Sequence, residues 1–342
     1  MAKTTIKPKI VTKRLLAVLS DRAKDVVTAR FGLGSDSEKK TLEAIGQKYG
    51  ITRERVRQIE NYALVTIRKS DVYAKEEATF TELAKAIDAL GGVVAEEDFL
   101  KTLAKDKSTQ NHYHFLLVVG EIFNYDRENT EFTHRWYTDS RLARTVEDAL
   151  KQLYQNLSDE DLIPESDFVS HFLGHLQDVA EEYRNEEIAR RWLGISKRVG
   201  RNALGEWGHA ASPNVRAKRM RDYAFLVIRR HGSPMHFTEV AEAISTLFNR
   251  KAHVATCHNE LIKDNRFVLV GRGLYALKEW GHASGVVRDV IAEVLEKHGP
   301  MTREEIIDKV LRERYVKENT IVVNLQNSEC FKRDKKGRYT LA

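Results

Sequence analysis

"GITRERVRQIENYAL", residues 50–64, sets three arginines, a glutamate and a glutamine within positions 53–58. At about 100° per residue on a helix, with Arg53 as zero, Arg57 falls near 40°, Glu54 near 100° and Gln58 near 140°. Val56, Ile59 and Ala63 fall between about 240° and 300°, opposite the charged arc. Gly50 supplies a tight turn, Thr52 is placed to cap a helix starting at Arg53, and Ile51 can pack on Val56 as a hydrophobic staple. Upstream, "TLEAIGQKYG" (41–50) offers Thr41 as N-cap and Leu42 and Ile45 as an apolar face. Two short helices joined through a glycine turn make a helix-turn-helix.

The wheel admits two readings of the charged arc. One is the solvated face of an ordinary amphipathic helix. The other is a base-reading face, because arginine suits guanine, glutamine suits adenine and glutamate accepts from the cytosine amino group. The set also lies near the helix N-terminus, the end that enters a major groove in this motif. Arg55, near 200°, is placed for a phosphate or a neighbouring helix.

Charge favours a polyanionic partner at this end of the chain. Residues 1–70 hold 16 lysines and arginines against 7 carboxylates, net +9, whereas the remainder holds 40 against 43, net −3. The overall charge of +6 therefore comes from the first fifth of the sequence.

The 342 residues, 42% of them hydrophobic, suffice for several packed domains. No apolar run approaches a membrane span, and "MAKTTIKPKIVTKR" lacks the apolar core of a secretory signal. The two cysteines, Cys257 and Cys330, lie far apart without CxxC spacing. A protein of the reducing cytoplasm, with no disulfide, metal or other cofactor, is expected.

"RFGL" (30–33) followed by "TLEAIGQKYGITRERVRQIENYALVTIR" (41–68) closely resembles region 4 of housekeeping bacterial sigma factors. The resemblance is nearly continuous over about 40 residues. It implies that the second helix reads a promoter −35 element in double-stranded DNA and that the domain docks on the β flap of the RNA polymerase core. Carried over by position, Arg53, Glu54, Arg57 and Gln58 become the base-contacting set. Thr41, Leu42, Thr52 and Arg55 become backbone-contacting or framework positions. Sigma factors carry this domain last, after domains that bind the polymerase clamp and melt DNA. Here it comes first with no aromatic-rich melting segment after it, so a protein like this is not expected to open a promoter by itself.

The rest of the chain repeats. "GRNALGEWGHA" (200–210), "GRGLYALKEWGHA" (271–283) and "KGRYTLA" (336–342) each end a unit of some 60–75 residues. "YAFLVIRRHGSPMHFTEVAEAI" and "IAEVLEKHGPMTREEIIDKV" precede the last two and read as helix, turn and second helix, starting at Thr238 or Thr302. A third helix follows near 253–264 and 318–327, and then a β-hairpin in "RFVLVGRGLYAL" and "CFKRDKKGRYTL". Three helices plus a hairpin make a winged helix. Residues 141–208 read as a diverged copy and 72–139, ending "EIFNYDRENTEFTHRWYT", as a further one.

The unit at 216–281 resembles the HARE-HTH family, the winged-helix module of the RNA polymerase delta subunit in Gram-positive bacteria. The module is also found in some restriction enzymes and chromatin regulators. "MHFTEVAEAI" and "NRFVLVGRGLYALKEWG" carry that resemblance. Trp207 and Trp280 are expected to cap module cores. Arg272 is the candidate wing-tip contact, and "VRAKRMR" (215–221) is a local basic run. Because the modules are slightly acidic together, protein contacts are expected of most of them.

No catalytic constellation stands out. His112 and His114 could share a metal only on an extended segment, Cys257–His258 has no matching pair, and HExxH, Walker and GxGxxG motifs are absent from the sequence. A non-enzyme is expected. The predicted fold is mainly α, an N-terminal helix-turn-helix (1–70) followed by winged-helix modules at 71–140, 141–214, 215–283 and 284–342. The predicted function is transcription regulation through DNA and polymerase. The alternative is an adaptor or inhibitor that mimics sigma region 4 on the β flap without reading DNA.

Overall fold

The computed structural model describes residues 4–282 and 287–342. Among them are 17 α-helices and 11 strands, none of the strands longer than four residues, so the protein is mainly α. No helix among the described residues is long and apolar enough to cross a membrane. The chain divides into two compact units, residues 1–200 and 201–342. The division falls inside the strand Val199–Arg201, and the junction expected at 283/284 touches residues outside those described.

The first unit opens with α1 (Pro8–Leu16), α2 (Asp21–Phe31), α3 (Leu42–Tyr49), α4 (Arg53–Arg68) and the short α5 (Asp71–Lys75). The stretch "TKRLLAVLSDRAKDVVTARFGLG" (12–34), apolar at helical spacing from Leu15 to Phe31, is thus divided between two helices. Ser20 breaks it, taking the extended backbone of an N-cap with Asp21 in the first turn of α2. Next come α6 (Glu77–Asp88), β1 (Val93–Ala95), α7 (Glu96–Leu103), α8 (Lys107–Val119), β2 (Asn124–Asp126) and β3 (Arg135–Tyr137). The strands form an antiparallel sheet in the order β1-β3-β2, with Val94 and Tyr125 both opposite Trp136. Helix, strand, two helices and hairpin is the winged-helix order. The same order recurs in α9 (Ser140–Gln155), β4 (Ile163–Pro164), α10 (Glu165–Gly174) and α11 (Glu186–Leu193), then β5 (Val199–Arg201) and β6 (Glu206–His209).

The second unit repeats it twice. One copy is α12 (Met220–His231), β7 (Met235–His236), α13 (Phe237–Phe248), α14 (Val254–Lys263), β8 (Phe267–Leu269) and β9 (Leu274–Leu277), with sheet order β7-β9-β8. The other is α15 (Val287–His298), α16 (Arg303–Glu313), α17 (Glu318–Leu325), β10 (Phe331–Arg333) and β11 (Tyr339–Leu341). Here the first strand shrinks to a single bridge, Met301 to Tyr339. Thr302 caps α16 in a reciprocal box with Glu305. The corresponding cap of α13 is His236, not Thr238, again boxed with a glutamate, Glu239. Its Nδ1 accepts the Thr238 N–H. Trp280 packs against Val268, Val270 and Ala276, and Trp207 is buried.

One apolar core runs through α1, α2, α4 and the first winged helix. It joins Leu15, Val27, Phe31, Ala63 and Ile67 to Phe80, Leu83, Phe99, Phe115, Leu116 and Trp136. Phe31 meets Phe115 edge to face at 5.2 Å. The helix-turn-helix has in addition only a small core of its own, Val26, Ile45 and Val56 with Leu42, Tyr49, Ile51 and Ile59 around it. Polar contacts reinforce the seam. Arg68 donates to the carbonyls of Val118 (2.7 Å) and Val119 (3.0 Å), where the C-terminus of α8 has unpaired acceptors. Buried Asn111 donates to the carbonyls of Gly32 (3.0 Å) and Ser37 (2.8 Å), fixing the loop that sets α3 against α2.

Candidate nucleic-acid interface

The turn between α3 and α4 is built from two glycines. Gly50 takes a left-handed backbone (φ 64°), its N–H donating to Gln47 O while the Ile51 N–H donates to Gly46 O at 3.0 Å. That paired closure ends α3 and reverses the chain within two residues. Gly46 is needed for a different reason, since a Cβ there would come within 2.6 Å of Ile51 O. The sequence reading found Gly50 and missed Gly46, whose only signal was a glycine inside a helical pattern.

Thr41 and Thr52 are N-caps. Thr41 Oγ1 accepts from the Ala44 N–H (3.1 Å) and Thr52 Oγ1 from the Arg55 N–H (3.2 Å). Leu42 is half-buried against the small core, and Ile51 packs there with Val56 as the staple requires. These positions form the frame of the helix-turn-helix. Thr52→Ala should cost about 1 kcal/mol of stability by leaving a first-turn N–H of α4 unpaired. Faster amide exchange at Arg55 without loss of α3 protection would register it.

On α4 the two arcs separate as the wheel requires. Val56, Ala63 and Ile67 are buried, whereas Arg53, Glu54, Arg55, Arg57 and Gln58 are all exposed. The exposed side chains are organised among themselves. Arg57 clasps Glu54 through two hydrogen bonds, Nε to Oε2 at 2.9 Å and Nη2 to Oε1 at 2.7 Å. The hydrogen bonds from Arg57 hold the Glu54 carboxyl below its ordinary range, so it is ionised at neutral pH. Arg55 donates to Gln58 Oε1 at 3.0 Å and so leans on its own helix. The result is a short polar ridge at the start of α4 carrying donors and acceptors in fixed order.

The opposite side of this domain is closed. α8 fills it, and His114 on α8 sits between Phe31 and Trp136 beside Lys39. Burial, with Lys39 and Lys107 adding to it, pushes His114 down to about 3, so it is neutral. His112 and His114 are two residues apart on one helix and do not converge. Among the described residues no three His, Cys, Asp or Glu side chains gather as a metal set. Burial pushes the Cys257 thiol up to about 11, which leaves it protonated and inert, and His258 stacks on Phe237.

In the second unit Arg272 is exposed at the tip of the β8–β9 wing. The base of that wing is occupied: the Tyr315 N–H donates to Val270 O at 3.0 Å, and Tyr315 O lies against buried Gly271. In the basic run 215–221, Val215 is buried and Arg221 lies 3.8 Å from both Glu260 and Asp264.

The segment that holds the helix-turn-helix is also the one that matches a known family. Residues 15–69 match the family "Sigma-70, region 4". The N-terminal domain is therefore a sigma-70 region 4 domain. The chain is 54% identical over 56 residues to the RNA polymerase sigma factor RpoS of Coxiella burnetii, 16% of either chain. It is 52% identical over 54 residues to the sigma factor SigA1 of Synechococcus elongatus, 16% of this chain and 13% of that one. For the sigma factor RpoD of Helicobacter pylori the figures are 48% over 54 residues, 16% and 8%. The chain thus spans a sixth or less of the length of these relatives.

Proposed function

We propose that this protein is a sequence-specific, DNA-binding transcription regulator that works with bacterial RNA polymerase. Its region 4 domain reads a −35-like promoter element in double-stranded DNA through Arg53, Glu54, Arg57 and Gln58, with Arg55, Thr52 and Thr41 toward the phosphates and Leu42 in the frame. The observation that carries this reading is the ridge on α4, which is exposed and pre-ordered while the other side of the domain is filled by α8. An adaptor that kept its charged helix off DNA would need no such ridge. The polymerase core, with the β flap as the contact, is the proposed protein partner. The relatives are named as RNA polymerase sigma factors, which supports the setting. The winged helices at 71–140, 141–214, 215–283 and 284–342, the third of these HARE-HTH-like as in the delta subunit, would extend along polymerase or upstream DNA. The role is non-catalytic and its place is the bacterial nucleoid.

Duplex binding tests it. At fixed salt the full chain should bind a duplex containing TTGACA at least tenfold more tightly than a scrambled one, the discrimination that one or two read base pairs supply. Equal affinity for the two duplexes, together with retention on polymerase core, would sink base reading and leave the adaptor.

A further inference from the structure

Charge in the last winged helix is concentrated at one point. Residues 287–329 hold seven lysines and arginines against nine carboxylates, whereas the wing, residues 332–338, holds five against one. The turns that join the hairpins in the other three copies are unlike it. Residues 127–134 carry Arg127 with Glu128 and Glu131, residues 202–205 carry no charge, and residues 270–274 carry Arg272 alone. The 270–274 wing is also packed against Tyr315, as described above.

The last wing is braced by its own hydrogen bonds, and the side chains of three of its five cations take no part in the bracing. Asp334 closes the turn, accepting from the backbone N–H groups of Lys336 and Arg338 at 2.8 Å each and from Arg338 Nε at 3.0 Å. Arg333 donates to Gly337 O and lies over the Tyr339 ring. The hairpin thus employs one carboxylate and two arginines to hold its shape. Lys332, Lys335 and Lys336 are exposed, and their ammonium groups have no partner among the described residues.

The helix that leads into this wing carries a matching face. α17 exposes Asn319, Thr320 and Val323, and its C-cap Gln326 continues the same side, at spacings of one, four and seven residues from Asn319. Beyond Glu318 at its start this side has no carboxylate. Amides suit adenine edges, a hydroxyl suits several bases, and an apolar branch suits the thymine methyl. The chain passes straight from α17 into the hairpin, with the Phe331 N–H donating to Asn327 O at 3.0 Å and Phe331 sharing a core with Ile321 and Leu325. An uncharged polar helix face leading into a wing of three unpaired lysines fits a nucleic-acid duplex, with phosphates met by the wing and a groove by the helix.

We propose that the winged helix at residues 287–342 is a second double-stranded DNA contact, in which Lys332, Lys335 and Lys336 bind phosphates and α17 faces the groove. The protein then holds DNA at two separate places, one reading sequence through α4 and one adding largely sequence-independent affinity. This contact goes beyond the reading of a promoter element and does not depend on it.

The test uses the full chain carrying Lys332→Gln, Lys335→Gln and Lys336→Gln together. Binding is measured against salt on TTGACA and scrambled duplexes longer than the −35 element. Three lost phosphate contacts should make the slope of log K against log[salt] shallower by about 2.7 and weaken binding by on the order of tenfold or more at 0.1 M salt. Both effects should appear on both duplexes, with the preference for TTGACA kept. The triple Lys→Arg chain should keep the parent slope. An unchanged slope and affinity in the triple Gln chain overturn the proposal, and so does a loss confined to polymerase core, which would make the wing a site for an acidic protein surface. Failure of base reading shows differently, as no preference between duplexes in the parent chain.

Discussion

Arg57→Ala and Gln58→Ala should each weaken binding to a TTGACA duplex by about 1–3 kcal/mol, roughly 5- to 150-fold, and relax preference at the base pair each side chain reads. Neither should change binding to scrambled DNA by more than the loss of one phosphate-range charge, a slope change of about 0.9 for Arg57 and none for Gln58. The geometry of α4 adds a third variant with an opposite signature. Glu54 holds Arg57 by two hydrogen bonds, and such an exposed pair contributes only about 0–1 kcal/mol to stability. Its effect is therefore on orientation more than on folding. Glu54→Ala removes one negative charge from the ridge and releases the guanidinium. Affinity for scrambled duplex should rise while discrimination falls, because a freed arginine finds phosphates as readily as a base edge. Fluorescence anisotropy on a panel of single-base-pair changes would read all three. A uniform loss across the panel for Arg57→Ala would mean that it touches phosphate only.

How much of this site the sequence made legible depends on the range of the interactions involved. Thr41, Gly50, Ile51 and Thr52 each act on a group no more than five residues away, so cap, turn and staple could be read directly, and the opposed arcs of α4 follow from helical period. The winged-helix order was legible for the same reason, as local helix and hairpin signals repeated. The ion pair of Glu54 with Arg57 was implicit in their spacing of three, yet nothing in the wheel said which side chains would pair. Long-range features left no such trace. Asn111 in the middle of "STQNHYHF" gives no hint that it anchors a loop 74 residues upstream, and Arg68 gives none that it caps α8. The helix cap His236 was missed because histidine is not an expected cap, and the packing of Tyr315 on the 270–274 wing because it joins two copies of the repeat. The acidic average of the modules likewise concealed a local excess at 332–338, since a mean over 272 residues dilutes five cations on one hairpin.

Phe115→Ala should destabilise the protein by about 3–5 kcal/mol, and its effect should reach α4. Phe115 is fully buried and belongs to the core that α1, α2 and α4 share with α6 and α8. The helix-turn-helix has only Val26, Ile45 and Val56 as a buried core apart from that one, far too little to offset the entropy of ordering some 60 residues. Residues 1–70 and 71–140 should accordingly unfold as one cooperative body, and the first winged helix supports the helix-turn-helix by completing its core. Native-state hydrogen exchange separates this from independent folding. In Phe115→Ala the amides of α4 and α8 should lose protection together and by the same free energy, and affinity for TTGACA should fall at temperatures where the mutant is partly open. Phe115→Leu, which keeps most of the volume, should show the same joint loss at a smaller magnitude. Parent-level protection in α4 alongside a loosened α8 would show that the helix-turn-helix stands without its neighbour. The converse substitution supplies the matching control. Leu325→Ala opens the separate core of α15, α16 and α17 and should leave α4 protection untouched while loosening the base of the lysine wing.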